Sequence, residues 1–385
     1  MKTQKQNHFA TEAEAELAEA PIHGDILQAI FSHVPLIDLV PASHVSTAWN
    51  RAVFSSLRHF NKIKPWLIVH TQRARSPHVT TTHAYDPRSN LWIKINQPSI
   101  DYVAALRSSH STLLYMLAPS KLLFSLDPLN LTWHHVDAPP VWRKDPIVAM
   151  VGHYVIIAGG ACNFEDSPLA VDMYNVETRA WESCENMPAI LKDSAASTWL
   201  SVAVNSDKFF VAEKFSGLTY SFNPQTKSWY GPYDLRPAGQ NILFSVIAFA
   251  GNRLILVGLT GFAGNVQSVK VWEVKGEWLE ECKEIGEMPQ PLVGKLKGSC
   301  CLASIEATAM EDVVYIHNPS NPEELVRLEM DEGNCEWGSI KNVVVNDGSR
   351  IMDRFVFSCS SVGMGDLCRA LMHKNRRFSV KEIDH

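Results

Sequence analysis

Six turns of one design recur along the chain: "YDPRSNLW" (85–92), "LDPLNLTW" (126–133), "YNVETRAW" (174–181), "FNPQTKSW" (222–229), "VWEVKGEW" (271–278) and "MDEGNCEW" (330–337). Each opens on an apolar residue, runs through polar residues that often include Asn/Asp-Pro, and reaches tryptophan seven positions after its start. Successive tryptophans stand 41, 48, 48, 49 and 59 residues apart, the interval of one four-stranded antiparallel sheet repeated around an axis. Such a sheet does not bury its own faces, so the copies must stack on one another. The expected fold is an all-β six-bladed propeller.

The chemistry of the unit follows from its residues. A strand ends at the apolar residue, the Asn/Asp, Pro and Gly positions turn the chain, and tryptophan opens the next strand. A buried indole removes about 150–250 Å² from water, worth on the order of 4–6 kcal/mol at most, so these tryptophans read as structure rather than as ligand platforms. Upstream lie short apolar strands in "HYVIIAGGA" (153–161), "DKFFVAEKFSG" (207–217) and "NRLILVGLTG" (252–261), each ending near Gly or a polar loop, the first expected as a tightly packed inner strand. Gly159-Gly160 supplies backbone freedom where the first of these gives way to a loop. Met187-Pro188 and Met288-Pro289 suit crossings from an outer strand to the next sheet. "KPWLIVHTQ" starts the repeats without an earlier strand of its own, and "RFVFSCSSV" follows the last tryptophan unpaired. The two should complete one sheet and hide its edges.

A glycine pair after a β run, then an aromatic, an N/D-P-x-T-like turn and tryptophan resembles the kelch repeat. The resemblance covers about residues 65 to 385, and the third unit carries it in full. In a propeller of this kind the loops joining second to third strands open on one face and the tryptophan hairpins on the other. The candidate target-binding residues therefore fall in "RARS" (73–76), "CNFED" (162–166), "EKFSG" (213–217) and "GFAGN" (261–265). Phe164, Phe215 and Phe262 are the expected anchors, Arg73, Arg75 and Lys214 the expected partners of acidic groups, and Asn265 a further contact.

Ahead of the repeats, "DILQAIFSHVPLIDLVPASHVSTAWNRAVFSSL" (25–57) places Ile26, Leu27, Ile30, Phe31 and Val34 on one stripe of a helix that Pro35 ends. Asp38 is the expected cap of a second short helix, and Ser46 of a third with Trp49, Ala52 and Val53 on one side. Three short helices expose more apolar surface than they bury among themselves. The segment resembles an F-box, matching "ILxxLP", "DL" and "VSxxW", with Ile22-His23 in place of the family's Leu-Pro. The resemblance implies that a small all-α domain, residues 20–62, binds a Skp-type adaptor through Ile22, Ile26, Leu27, Ile30, Phe31, Val34, Pro35, Leu39, Val45 and Trp49. It thereby joins a cullin–RING ubiquitin ligase, and the kelch-type propeller captures the target protein. More narrowly, "TEAEAELAEAPIHGDIL", "PWLIVHTQ" and "STWLSVAV" are similar to plant F-box/kelch proteins that turn over chalcone synthase or related phenylpropanoid enzymes, and so restrain flavonoid synthesis.

Composition excludes other classes. With 35 basic and 41 acidic residues, net −6, no charge excess invites nucleic acid or an anionic membrane. Residues 1–19 read as a disordered tail without a secretory h-region, and no apolar run reaches membrane-spanning length; a soluble protein of the cytoplasm, the nucleus or both is expected. The eight cysteines include no C-x-x-C pair and read as reduced thiols. No G-x-S-x-G, H-E-x-x-H or phosphate-loop signature occurs, and His134-His135 alternate across a strand, which keeps them off a shared metal. No cofactor, no metal and no catalysis are expected. The competing readings are a ligase-independent propeller scaffold and a metal-dependent propeller enzyme; the latter leaves the F-box-like segment without a role.

Overall fold

The structure, a computed structural model, describes residues 24–73, 80–96, 104–160, 167–262, 264–299, 301–331, 334–345, 353–372 and 377–381. The chain divides after Ile63 into two compact units. The first is helical: α1 (Asp25–Ser32), α2 (Leu36–Ser43) and α3 (Thr47–His59). Ser46 caps α3, its side chain accepting from the Trp49 N–H at 3.2 Å. Asp38 does not cap α2, contrary to expectation: Pro35 occupies that position, its ring having no N–H to satisfy, and Asp38 sits within the first turn, where its charge suits the helix dipole. Leu27, Phe31, Leu36, Leu39 and Val53 form the interior. Trp49 meets Phe31 edge-on at 5.2 Å, and Ser55 donates to Gln28 at 2.8 Å, tying α3 to α1.

The second unit is the expected six-bladed propeller. β1 (Trp66–Arg73), β2 (Thr80–Asp86) and β3 (Leu91–Asn96) begin the first sheet. β4 (Leu114–Ala118), β5 (Lys121–Ser125) and β6 (His134–Asp137) form the second, and β7 (Ile147–Val151), β8 (Tyr154–Ala158), β9 (Val171–Asn175) and β10 (Ala180–Ser183) the third. The fourth holds β11 (Leu200–Val204), β12 (Phe209–Glu213), β13 (Leu218–Asn223) and β14 (Ser228–Asp234). The fifth holds β15 (Ile242–Ala250), β16 (Arg253–Phe262), β17 (Asn265–Lys275) and β18 (Glu281–Glu287). After α4 (Gln290–Lys297) comes the sixth, with β19 (Glu306–Met310), β20 (Val313–Asn318), β21 (Asn321–Asp331) and β22 (Asn334–Lys341). β23 (Asp353–Ser360), α5 (Met364–Met372) and β24 (Arg377–Lys381) then return to the first sheet, whose order is β23-β1-β2-β3-β24. The expected closing strand is thus β23, antiparallel to β1 from Trp66–Ser360 to Arg73–Asp353.

The strands around "IIAGG", "FFVAE" and "LILVG" are not innermost. They are β8, β12 and β16, each second in its sheet, while β7, β11, β15, β19 and β23 neighbour one another around the axis. The apolar runs looked alike because both strands of each hairpin are buried on both faces. In the second sheet, among the described residues, the innermost position is held by an isolated bridge, Arg107 to Tyr115. Gly159 ends β8 with φ +69°, where a Cβ would meet the Ala195 carbonyl at 2.4 Å, so glycine is required for the chain to approach the crossing into the fourth sheet. Met187 and Met288 are buried at such crossings. Pro188 and Pro289 follow them at the caps of a 3-10 turn and of α4, where a missing N–H leaves no helical bond unmade.

The recurrent turn has a local cause. The Asn175 side chain accepts from the Glu177 and Thr178 N–H groups at 2.9 and 3.0 Å, and Arg179 then takes φ 57°. Asp86, Asp127 and Asn223 accept likewise, with Asn90, Leu131 and Lys227 in the left-handed region. This Asx turn sets the register in which Tyr174 faces Trp181, Tyr85 faces Trp92 and Phe222 faces Trp229; their ring centroids are 5.2, 5.4 and 5.1 Å apart. The indole also reaches the preceding sheet: Trp92 donates to the Lys341 carbonyl at 3.0 Å and Trp229 to that of Glu185 at 3.2 Å. Two units differ from the rest. In the second, His134 stacks on Phe124 at 4.9 Å while Trp133 stays outside the ladder but still packs, half-buried, against Leu106, Leu114 and Met116. In the fifth, β17 and β18 extend to a Lys275–Glu281 pair, leaving Trp278 at the tip, 68% exposed, and Trp272 fills the interior instead.

Between the second and third sheets, Arg143 is fully buried, donating to the carbonyls of Val141 (3.2 Å), Ile157 (3.3 Å) and Ala170 and pairing with the Asp172 carboxylate. Residues 108–111 tie three inner strands together. The Ser111 carbonyl accepts from Cys359 N–H (2.6 Å), its hydroxyl from Ala309 N–H (2.8 Å), and the Ser109 hydroxyl from Val148 N–H (3.0 Å).

Candidate functional site

Two surfaces carry the chemistry. On the helical unit, Ile26, Ile30 and Val45 are exposed at 67, 43 and 62%, a cost in hydration that a solitary module has no reason to bear. Phe54 and Phe60 are exposed with them; reading one stripe on α1 gave no signal for either. The expected stripe splits into two edges. Ile26 and Ile30 face outward, whereas Leu27, Phe31 and Leu39 are interior, a correction to their expected outward role: they hold the outward residues in place. Val34, Pro35 and Trp49 are half-buried, and Ile22 lies outside the described residues.

On the propeller, the loops joining second to third strands and the crossings between sheets share one face. Phe215 follows β12, and Phe262 and Asn265 flank the β16–β17 loop, all exposed. Arg73 ends β1 and is exposed, while Arg75 and Phe164 lie outside the described residues. Lys214 is not an exposed loop cation, as expected, but a buried one. Its ammonium pairs with Glu306 at 2.6 Å. Its backbone bonds to Trp199 and Ser245 on either side, which continues the pairing of β12 past the point where the loop was expected to begin.

Lys214 lines an axial cavity of about 400 Å³ that opens among the leading ends of the inner strands. Its charged walls are Arg107, Asp145, Lys214, Glu306 and Arg354, from five different sheets or crossings, and residues 108–111 form its inner end. Arg107 pairs with Asp145. Burial holds His110 down to about 4, and burial followed by the Lys214 charge holds His317 down to about 3, so both imidazoles are neutral at ordinary pH. His317 lies on Phe357 with centroids 4.0 Å apart. Sequence reasoning missed Arg107, Asp145, Glu306 and Arg354; the one available signal was a charged residue at the start of β19 and of β23. Among the described residues no cluster of His, Cys, Asp or Glu could hold a metal ion, and the described cysteines are free thiols. No described helix is long and apolar enough to cross a membrane.

A helical module with an outward apolar edge and a closed propeller with a loop-rimmed axial mouth define a two-module binding protein. Residues 25–62 match the F-box-like family. The chain is 45% identical over 363 residues to the F-box/kelch-repeat protein At1g23390 of Arabidopsis thaliana, covering 91% of this chain and 92% of that relative. The chain belongs to the plant F-box/kelch-repeat family, whose role is non-catalytic. An F-box implies partnership with a Skp-type adaptor and a cullin–RING ligase, and the architecture is the one a substrate-recognition subunit of such a ligase requires.

Proposed function

We propose that the chain works as the substrate-recognition subunit of an SCF-type E3 ubiquitin ligase in the cytoplasm, the nucleus or both. The helical unit holds the adaptor, the propeller face holds a target protein, and ubiquitin transfer follows from proximity on other subunits. The observation that carries this reading is the exposed apolar edge of α1, Ile26 and Ile30, within the segment that matches the F-box-like family. The adaptor contact consists of that edge with Val45, supported from beneath by Leu27, Phe31, Leu39 and Trp49. The target we propose is chalcone synthase or another phenylpropanoid enzyme, with negative control of flavonoid synthesis as the outcome; this rests on the similarity of the segments quoted above and not on the geometry of the propeller.

The test is co-precipitation of a Skp-type adaptor with the wild type and with Ile30→Asp. A charge placed in a packed apolar contact should reduce capture at least tenfold. Equal capture removes the interface. Chalcone synthase should co-precipitate with the wild type in the same experiment, and a protein that retains the adaptor but never chalcone synthase needs another target.

A further inference from the structure

Charge in the axial mouth does not cancel. Of the three cations, Arg107 is matched by Asp145 and Lys214 by Glu306. Arg354, second residue of β23, lines the same cavity and makes no ion pair within 4 Å among the described residues, although it shares the field of the Asp145 carboxylate with Arg107. His110 and His317 add none. Of the remaining polar wall, Ser109 and Ser201 already donate to the Tyr115 hydroxyl and the Ile247 carbonyl, whereas Thr198 has a hydroxyl to offer. Thr198 and Lys214 line the cavity, and each is followed in the chain by an aromatic, Trp199 and Phe215, whose centroids are 6.0 Å apart. Both are about half exposed, at 46 and 51%. Phe215 is braced edge-on by Phe244 at 5.2 Å, so the ledge is formed before anything binds.

We propose that the propeller recognises a peptide segment of its target that carries a carboxylate side chain and, close to it in sequence, a bulky apolar one. The carboxylate enters the axial mouth to pair with Arg354, and the apolar side chain seats on the Trp199–Phe215 ledge. This deepens the proposed target-capture role and rests on it. Two carboxylates in the mouth and a net charge of −6 favour a single acidic group over a polyanion such as nucleic acid. A cavity of about 400 Å³ admits side chains rather than a folded element.

The probes are fluorescein-labelled decapeptide pools with random filler and two fixed residues up to four positions apart, Glu with Phe, against Gln/Phe, Lys/Phe and Glu/Ser pools. A single-stranded oligonucleotide is the further arm. Anisotropy against the full chain should show the Glu/Phe pool binding about tenfold tighter than the Gln/Phe and Glu/Ser pools. Arg354→Ala should erase the Glu preference, Arg354→Glu should transfer it to the Lys/Phe pool, and Phe215→Ser should erase only the Phe preference. Arg354→Lys, which keeps the charge, guards against a folding defect, and melting curves accompany every variant. Pools of equal affinity, a Glu preference that survives Arg354→Ala, binding by no pool, or preference for the oligonucleotide would each overturn the proposal. None of these outcomes touches the adaptor experiment above, which judges the subunit role independently.

Discussion

Single residues hold this ring by meeting buried polar needs. Arg143 is the plainest case, a fully buried guanidinium whose donors go to three carbonyls and one carboxylate. Arg143→Ala should destabilise the propeller by about 3–5 kcal/mol, since the buried Asp172 carboxylate loses its cation and keeps the hydrogen bond from Ser183. Arg143→Met with Asp172→Leu should recover part of that, but not all, because the carbonyls stay unanswered; urea titration of the three proteins checks it. Buried histidines make a second prediction. Burial, then the charge of His83, holds His70 down to about 3, and His317 also lies at about 3. An unfolded histidine takes its proton near about 6.5. The two side chains therefore contribute full stability above that value and lose it as pH falls toward 3, at about 1.4 kcal/mol per pH unit each. The melting temperature should drop between pH 7 and pH 4, and His317→Gln should flatten the drop.

Elements were legible where their cause was local. The Asx turn needs only Asn or Asp and a few polar followers, so the four hairpins built on Asp86, Asp127, Asn175 and Asn223 could be placed from the sequence, and Ser46 announced α3 on its own. What failed depended on length or distance. Gly276 and Leu279 stretch the fifth hairpin and eject Trp278, a matter of two residues that no spacing rule registers. α5 lies between β23 and β24, beyond the last repeat. The axial charges were hidden because Arg107 and Arg354 stand far apart in the chain and meet only when the ring closes. The closing strand gives the element-scale prediction. Removing residues 353–385 exposes the inner edge of β1 and should abolish cooperative melting, whereas removing only 377–385 strips an outer strand and should lower the midpoint by a few degrees; differential scanning calorimetry separates the two.

At the scale of the molecule, two compact units meet in one chain and divide its work. The outward apolar edge lies in the first and the axial mouth in the second. Because Ile30 lies in the helical unit, Ile30→Asp should leave the propeller's melting transition within about 1 °C of wild type while adaptor capture fails. The order of manufacture gives the arrangement a further meaning. A ribosome completes the helical module first and the partner strand of β1 among the last residues, so a product halted early carries the ligase-facing half with no finished ring. On the proposed function, a fragment ending before β23 should occupy adaptors without delivering cargo, so a stop codon upstream of residue 353 should antagonise the intact protein instead of merely failing to replace it.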